Sequence, residues 1–419
     1  FLVTSSTPNM HFLSPTTTNA TNDEDGCSTM KCAQVTRFVD YNETINTVDN
    51  DDEIDDNDDA FITFTQDQHP KPKSSSLKWN EMLVQVMACS ISNIDSIYLS
   101  GNSISFQRPT LPYIPGSFVC GVVEAMSEQV KGFKVGDIVV ASTGTPPQFG
   151  GLAEYVILDA SFAVIKPGGV DVIQAAACNS PITALQAADQ INKNDRVLIL
   201  GGSTGVGSAA ISLVRNHIGA AFVATTTTSS QKKDMCISLG ADRVIDDEEE
   251  NWWEIRDFQI NKFDKIIDTV GGGGDGEEIF YDKAELVLKA GVYNGHFIDA
   301  TGNYPEEATT TTAPSNIPSW LGVATHYINS TRKPLWTRTR IGNHLHPVYT
   351  SLAVPPRRGD VTNLLSRILE LMEEGKFKVC LDPSLPLDFT QDGISKAYEM
   401  QRRGHTCSGN SVIQISTSS

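Results

Sequence analysis

The stretch Val197–Leu213, VLILGGSTGVGSAAISL, constrains the fold more than any other part of the chain, because it reads as a buried strand, a glycine-rich turn and a helix in immediate succession. The apolar run Val197-Leu198-Ile199-Leu200 suits a central parallel strand covered on both faces. Gly201, Gly202, Gly205 and Gly207 then let the backbone turn sharply into the helix. With no side chains in the way, phosphate oxygens can reach the amide N–H groups and the positive end of the helix dipole, so a pyrophosphate needs no lysine there. The spacing is Gly-x-x-Gly-x-Gly rather than strict Gly-x-Gly-x-x-Gly, and such turns also occur as plain connections. The surrounding sequence has to decide between them.

At 419 residues with 40% apolar content the chain exceeds one ordinary core, and two domains are expected. No apolar stretch approaches the roughly 20 residues that span a bilayer, so membrane insertion is not expected. A net charge of −19 makes nucleic acid a poor partner, since a polyanion requires clustered Lys and Arg. Much of the acidity lies in 49–59, DNDDEIDDNDD, whose eight acids and single apolar residue read as a solvated insert. It lacks the glycine and terminal glutamate of an EF-hand loop. Eight cysteines are scattered without a C-x-x-C pair, which points to a reducing, intracellular location, cytoplasmic or organellar, and away from secretion. The first thirty positions hold no Arg and no basic amphipathic pattern, so no targeting peptide is expected there.

Along the chain, residues 1–29 are rich in Ser, Thr and Asn and are expected to be disordered. From 30 to 169 short β runs alternate with Gly, Pro and Asn: Met82–Ala88, Gly121–Glu124, Asp137–Ala141 and Ala153–Leu158. From 170 to 355 strands alternate with helices: helix Val172–Ala188, strand Val197–Leu200, helix Gly205–His217, strand Ala221–Thr225, helix Lys232–Leu239, strands Arg243–Ile245 and Lys265–Asp268. That rhythm predicts a doubly wound parallel sheet, carrying a loop-rich insertion at about 300–340. The segment 356–419 contains an amphipathic helix Asp360–Glu374 closed by Gly375, a helix near Gln391–Arg402 and a strand Ser411–Ile415 that could return to the first domain.

Several stretches together resemble the medium-chain dehydrogenase/reductase superfamily, in its zinc-free quinone oxidoreductase (zeta-crystallin-like) and enone reductase branch, over roughly 30–416. They are LPYIPGSFVCGVVEAMSEQVKGFKVGDIVV at 111–140, GGLAEYVIL at 150–158, SPITALQAA at 180–188, the glycine turn, LGADRVID at 239–246, FDKIIDTVGG at 263–272, and EEGKFK with GHTCSGNSVIQI near the end. The resemblance implies an α/β protein in which a GroES-like, β-rich catalytic domain is made from both chain ends and joined to a Rossmann doubly wound parallel-sheet domain, with the active cleft between. It also implies a homodimer through the edge strands of the Rossmann sheets.

The cofactor form follows from the second strand, FVATTTTSSQKK, where NAD enzymes place an acid and this chain has none. Hydroxyls and lysines suit the 2′-phosphate of NADPH, and the resemblance puts Thr228, Ser229 and Lys232 beside it, or else the lysines are simply an exposed helix start. Thr183, Gly202, Ser203, Thr204, Gly205, Val206 and Gly207 complete the expected cofactor site. Where the family often has Tyr after VID, this chain has Asp247 and an acidic run that weakens phosphate binding electrostatically.

The zinc enzymes of the superfamily use a Cys and a Gly-His-Glu triplet; here Ser92 replaces the Cys, and Ser117 and Phe118 replace the His and Glu, so no metal site is expected. The pair His344 and His346 is read as solvated. Without a Lewis acid, hydride transfer from NADPH to a quinone or α,β-unsaturated carbonyl is the favoured reading. Ser92 and Tyr98 are expected to line the acceptor pocket, with Asp95 at the family's Asp position in the same loop and water as an alternative proton source. Two other readings stay open: an enoyl thioester reductase, although its catalytic Tyr position is Ser103 here, and a weakly active cofactor-binding assembly subunit, which the departures at Ser92, Asn93, Ser103, Phe118 and Asp247 would fit.

Overall fold

The computed structural model describes residues 29–38, 62–101, 109–144, 150–228, 232–271, 280–301, 346–352, 358–402 and 410–416. The acidic insert, most of the 300–340 segment and residues 1–28 lie outside these, as do Ser103, Ser229 and His344.

In chain order the first elements are β1 (Thr29–Val35), β2 (Ile62–Pro70), β3 (Glu81–Ile91), α1 (Asn93–Leu99), β4 (Phe118–Met126), β5 (Ile138–Ser142), β6 (Tyr155–Asp159) and β7 (Ala163–Ile165). They continue with α2 (Val172–Ala176), α3 (Asn179–Ala188), β8 (Arg196–Leu200), α4 (Gly205–Ser212), β9 (Phe222–Thr227), α5 (Lys233–Leu239), β10 (Arg243–Asp246), α6 (Arg256–Ile260), β11 (Lys265–Asp268), α7 (Phe280–Ala284), β12 (His296–Asp299) and β13 (Val348–Ser351). The last are α8 (Arg358–Glu373), β14 (Leu387–Asp388), α9 (Gln391–Arg402) and β15 (Ser411–Gln414).

Two sheets dominate. The second is six-stranded, in order β10-β9-β8-β11-β12-β13, and every pairing in it is parallel. The fully apolar Val197–Leu200 occupies its middle, buried on both faces, as a strand with no polar alternation must be. The chain crosses from one side of β8 to the other between β10 and β11, and ligands of open parallel sheets bind beyond the strand ends at that reversal. The other main sheet is seven-stranded, β14-β15-β3-β4-β5-β7 with β6 also on β3. Its β15 pairs antiparallel with β3, Ile413 opposite Cys89, so the end of the chain does complete the first domain.

The expected helix Val172–Ala188 is instead two helices, and Pro181 supplies the reason. Proline lacks the N–H that would bond Ala177, and its ring clashes with that carbonyl in a continuous helix. The released Ala177 oxygen accepts from the side chain of Asn410, fully buried just before β15, at 2.9 Å. The expected helix Gly205–His217 likewise ends as an α-helix at Ser212 and continues as a π-helical turn over Leu213–Ile218, closed by Gly219 at φ +83°. One apolar cluster joins the two domains: Ala88, Phe118, Cys120 and Val412 pack with Ile182, Leu185, Ile211 and the α8 residues Leu365, Ile368 and Leu369. No helix among the described residues is long and apolar enough to cross a membrane.

Candidate functional site

The glycine turn is held by Thr226 of β9 and by Thr269, the residue after β11. The Gly201 amide donates to Thr226 Oγ1 at 3.0 Å and the Gly202 amide to the Thr226 carbonyl at 2.8 Å. Thr204 caps α4 by accepting from the Gly207 amide at 2.9 Å, and its hydroxyl lies 2.9 Å from that of Thr269, which in turn donates to the Leu200 carbonyl. Glycine is required by this packing. A Cβ on Gly207 would stand 2.1 Å from the Gly201 carbonyl oxygen, and one on Gly202 would stand 2.1 Å from Thr225 Oγ1. Among the described residues no acceptor meets the amides of Ser203, Gly205 and Val206, so the mouth of the turn presents N–H groups at the end of a helix dipole. That donor set fits a pyrophosphate. Thr228 is exposed at the end of β9, and Lys232 stands half-buried at the start of α5.

The loop after β11 leans on this cradle. Asp268, with 4% of its surface exposed, accepts from the Val270 and Gly271 amides at 3.1 and 2.9 Å and lies in register beside Asp299. Burial pushes its carboxyl up to about 6, with a small further push from Asp299 and an opposing pull from the two amides. A raised carboxylate stabilises the fold when protonated. That contribution is complete below about pH 4, near the ordinary aspartate value, and is lost as pH rises through about 6. Asp268→Asn keeps an oxygen for both amides and removes the ionisation. Between pH 4 and 7 it should therefore gain on the order of 3 kcal/mol relative to the parent. Urea midpoints at the two pH values check this, and parallel pH profiles for the two proteins would refute it.

Across the cleft, Ser92 and Asp95 form a capping box at the start of α1. Asp95 is almost fully buried and accepts four hydrogen bonds: at Oδ2 from the Ser92 amide (2.9 Å), Ser92 Oγ (3.2 Å) and Ser117 Oγ (2.7 Å), and at Oδ1 from the Gly116 amide (3.0 Å). Burial still pushes its carboxyl above the usual range, because desolvation outweighs those bonds. Ser92 Oγ is 3.3 Å from Ser117 Oγ, so the two positions that stand where the zinc enzymes have Cys and His do converge. Asn179, the first residue of α3, reaches from the Rossmann side and donates to Ser92 Oγ at 2.8 Å. Thr183, one turn along, shares that face of α3 and is buried.

Tyr98 departs from expectation. It is fully buried in the catalytic-domain core with Tyr113 and Tyr398, so its ring fills the core and does not line an open acceptor pocket. Its spacing explains this: three residues after Asp95, it lies on the same inward face of α1. Asn179, Thr226 and Thr269 were not expected as site residues. Asn179 had a readable signal in its place just before the SPITA motif; the others are set by register between distant strands. His346 pairs with Glu285, and no group of three metal-capable side chains gathers among the described residues.

Two family models match the chain, an alcohol dehydrogenase GroES-like domain over residues 78–168 and a zinc-binding dehydrogenase domain over 205–280. The pair falls on the two sheets in the order found here. The chain resembles the medium-chain dehydrogenase/reductase superfamily in both of these regions. Among curated proteins it is similar to the NADPH-dependent alkenal/one oxidoreductase, chloroplastic, of Arabidopsis thaliana, 33% identical over 237 residues, covering 54% of this chain and 56% of that protein. It is also similar to human quinone oxidoreductase, 34% identical over 202 residues, covering 47% of this chain and 56% of the relative. The chain thus spans a little over half the length of these relatives. The solved quinone oxidoreductase of Coxiella burnetii shares the fold at a TM-score of 0.63 and 23% identity, over 92% of this chain and 99% of that one. Asn179 links the Ser92–Asp95 loop of the first domain to α3 of the second.

Proposed function

We propose that the chain is an NADPH-dependent, zinc-independent oxidoreductase that reduces a quinone or an α,β-unsaturated carbonyl. The observation that carries this reading is the glycine turn at the sheet's reversal point, with acceptor-free amides at its mouth, together with the neutral Ser92–Ser117 hydroxyl cluster on the other domain. The alkenal/one and quinone oxidoreductase relatives support the same class. When bound, NADPH supplies the hydride.

The protein's residues do the rest. The amides of Ser203, Gly205 and Val206 hold the pyrophosphate, while Thr228, Ser229 and Lys232 receive the 2′-phosphate. Burial of Ser92 and Ser117 keeps bulk water from their hydroxyls. Ser92 and Ser117 are hydrogen-bond donors for the oxygen on which negative charge develops, held in place by Asp95 and Asn179. Two neutral serine hydroxyls sharing one fully committed carboxylate are poor zinc ligands, which normally are thiolates, imidazoles or free carboxylates.

The test gives purified protein NADPH with 9,10-phenanthrenequinone, an alkenal or a 2-enoyl thioester and follows NADPH absorbance. Oxidation with the first two supports the reading, oxidation with the thioester alone favours an enoyl reductase, and binding without turnover favours an assembly subunit. Lys232→Ala should narrow the preference for NADPH over NADH by about tenfold, the worth of one charge-assisted contact. Equal affinities for both cofactors in the parent would sink the assignment. The half-exposed edge strand β13 is the proposed seam of a homodimer, checked by light scattering. Of the six described cysteines five are buried, and none forms a disulfide with another described residue, which supports a reducing compartment.

A further inference from the structure

Second strands of dinucleotide folds end beside the adenosine ribose, and an acid there selects the unphosphorylated cofactor. Here β9 ends in threonines, but its neighbour β10 brings an acid to the same edge. Asp246 is in register with Thr227, and the next residue, Asp247, donates its amide to the Thr227 carbonyl at 3.0 Å. Its side chain neighbours Thr226, whose hydroxyl accepts from the Gly201 amide at 3.0 Å. That places Asp247 beside the phosphate turn.

Three other acids nearby have partners of their own. Asp246 accepts from the Glu248 amide and shapes the turn, Glu250 pairs with Arg243, and Asp242 pairs with Arg215. Asp247 stands beside the end of β9, where Thr228 is exposed.

We propose that Asp247 is a specificity-determining residue for the cofactor, delivering from β10 the carboxylate that β9 lacks. It opposes a 2′-phosphate, so the chain prefers NADPH over NADH by less than its β9 hydroxyls and Lys232 alone would give. This rests on the NADPH reading above and refines it. At separations of several ångströms near a surface, one like charge weakens a phosphate contact by roughly three- to thirtyfold.

The experiment measures Kd for NADPH and NADH by fluorescence titration at fixed ionic strength, in the parent, Asp247→Asn and Glu249→Gln. Glu249 is an exposed acid two residues along and controls for general electrostatics. The expected result is about tenfold tighter NADPH binding in Asp247→Asn, no tightening of NADH, and a change below about twofold in Glu249→Gln. An unchanged NADPH-to-NADH ratio in Asp247→Asn, or an equal shift in Glu249→Gln, overturns the role of Asp247 and leaves the cofactor reading standing. Failure of the parent to bind either dinucleotide overturns both.

Discussion

Gly207→Ala should weaken dinucleotide binding at least about a hundredfold and lower stability by roughly 2–4 kcal/mol. The added methyl would sit 2.1 Å from the Gly201 carbonyl oxygen and 2.9 Å from the Gly202 Cα. Both obstacles are backbone, so no rotamer change relieves the overlap. The first turn of α4 has to lift from the glycine turn, and the amides that converge on a pyrophosphate separate with it. Thermal unfolding and a cofactor titration on the same preparation read the two effects. Gly168→Ala is the matched control, since its Cβ meets nothing within 4 Å and its φ is ordinary. Parent-like binding by Gly207→Ala would show that the turn does not hold the cofactor.

The second large effect is expected at Asp95. Replacement by Ala strands the Ser92 and Gly116 amides and the Ser117 hydroxyl in a buried site, and should cost about 3–5 kcal/mol. Asp95→Asn should cost less, about 2–3 kcal/mol, since one amide oxygen can serve the Gly116 amide or the Oδ2 donors but not both sets. Ser92→Ala removes a single cap hydroxyl and should cost about 1 kcal/mol. Chemical denaturation measures the order. Because the same carboxylate aims the Ser92 and Ser117 hydroxyls, kcat should fall in both Asp95 variants even where the protein remains folded. A stable, fully active Asp95→Ala would remove this cluster from the mechanism.

The parts legible in the sequence are those whose cause is local. Lys265–Asp268 and Gln391–Arg402 were readable to the residue, the first as an apolar run ended by an acid and a turn, the second as an amphipathic period. The phosphate turn was readable because glycine has few other reasons to recur at that spacing between strand and helix. Ser92 and Ser117 were readable as replaced ligands through a family pattern, and the structure brings them together.

What stayed hidden depends on distant partners. The break before α3 follows from Pro181, but it is completed by Asn410, 233 positions away. Tyr98 looked like a pocket residue because a short helix of seven residues does not announce which face turns inward. Strands β12 and β13 are four residues each and carry too little pattern to stand out. The acidic insert and the 300–340 segment fall largely outside the described residues.

The pairing of β15 with β3 ties the order of assembly to the order of synthesis. The Ser416 hydroxyl bonds the Val86 carbonyl across 330 positions, so at roughly 5–20 residues per second a ribosome needs between about 15 and 65 seconds to supply β3 with that neighbour. In the last part of that interval, once Ser351 has been made, the Rossmann sheet has every described strand, whereas the first domain still has an open edge along part of β3. The nucleotide half can thus be complete on the ribosome while the earlier-made half waits for the tail, and a nascent chain stalled before residue 411 would expose a sticky strand for chaperones to cover.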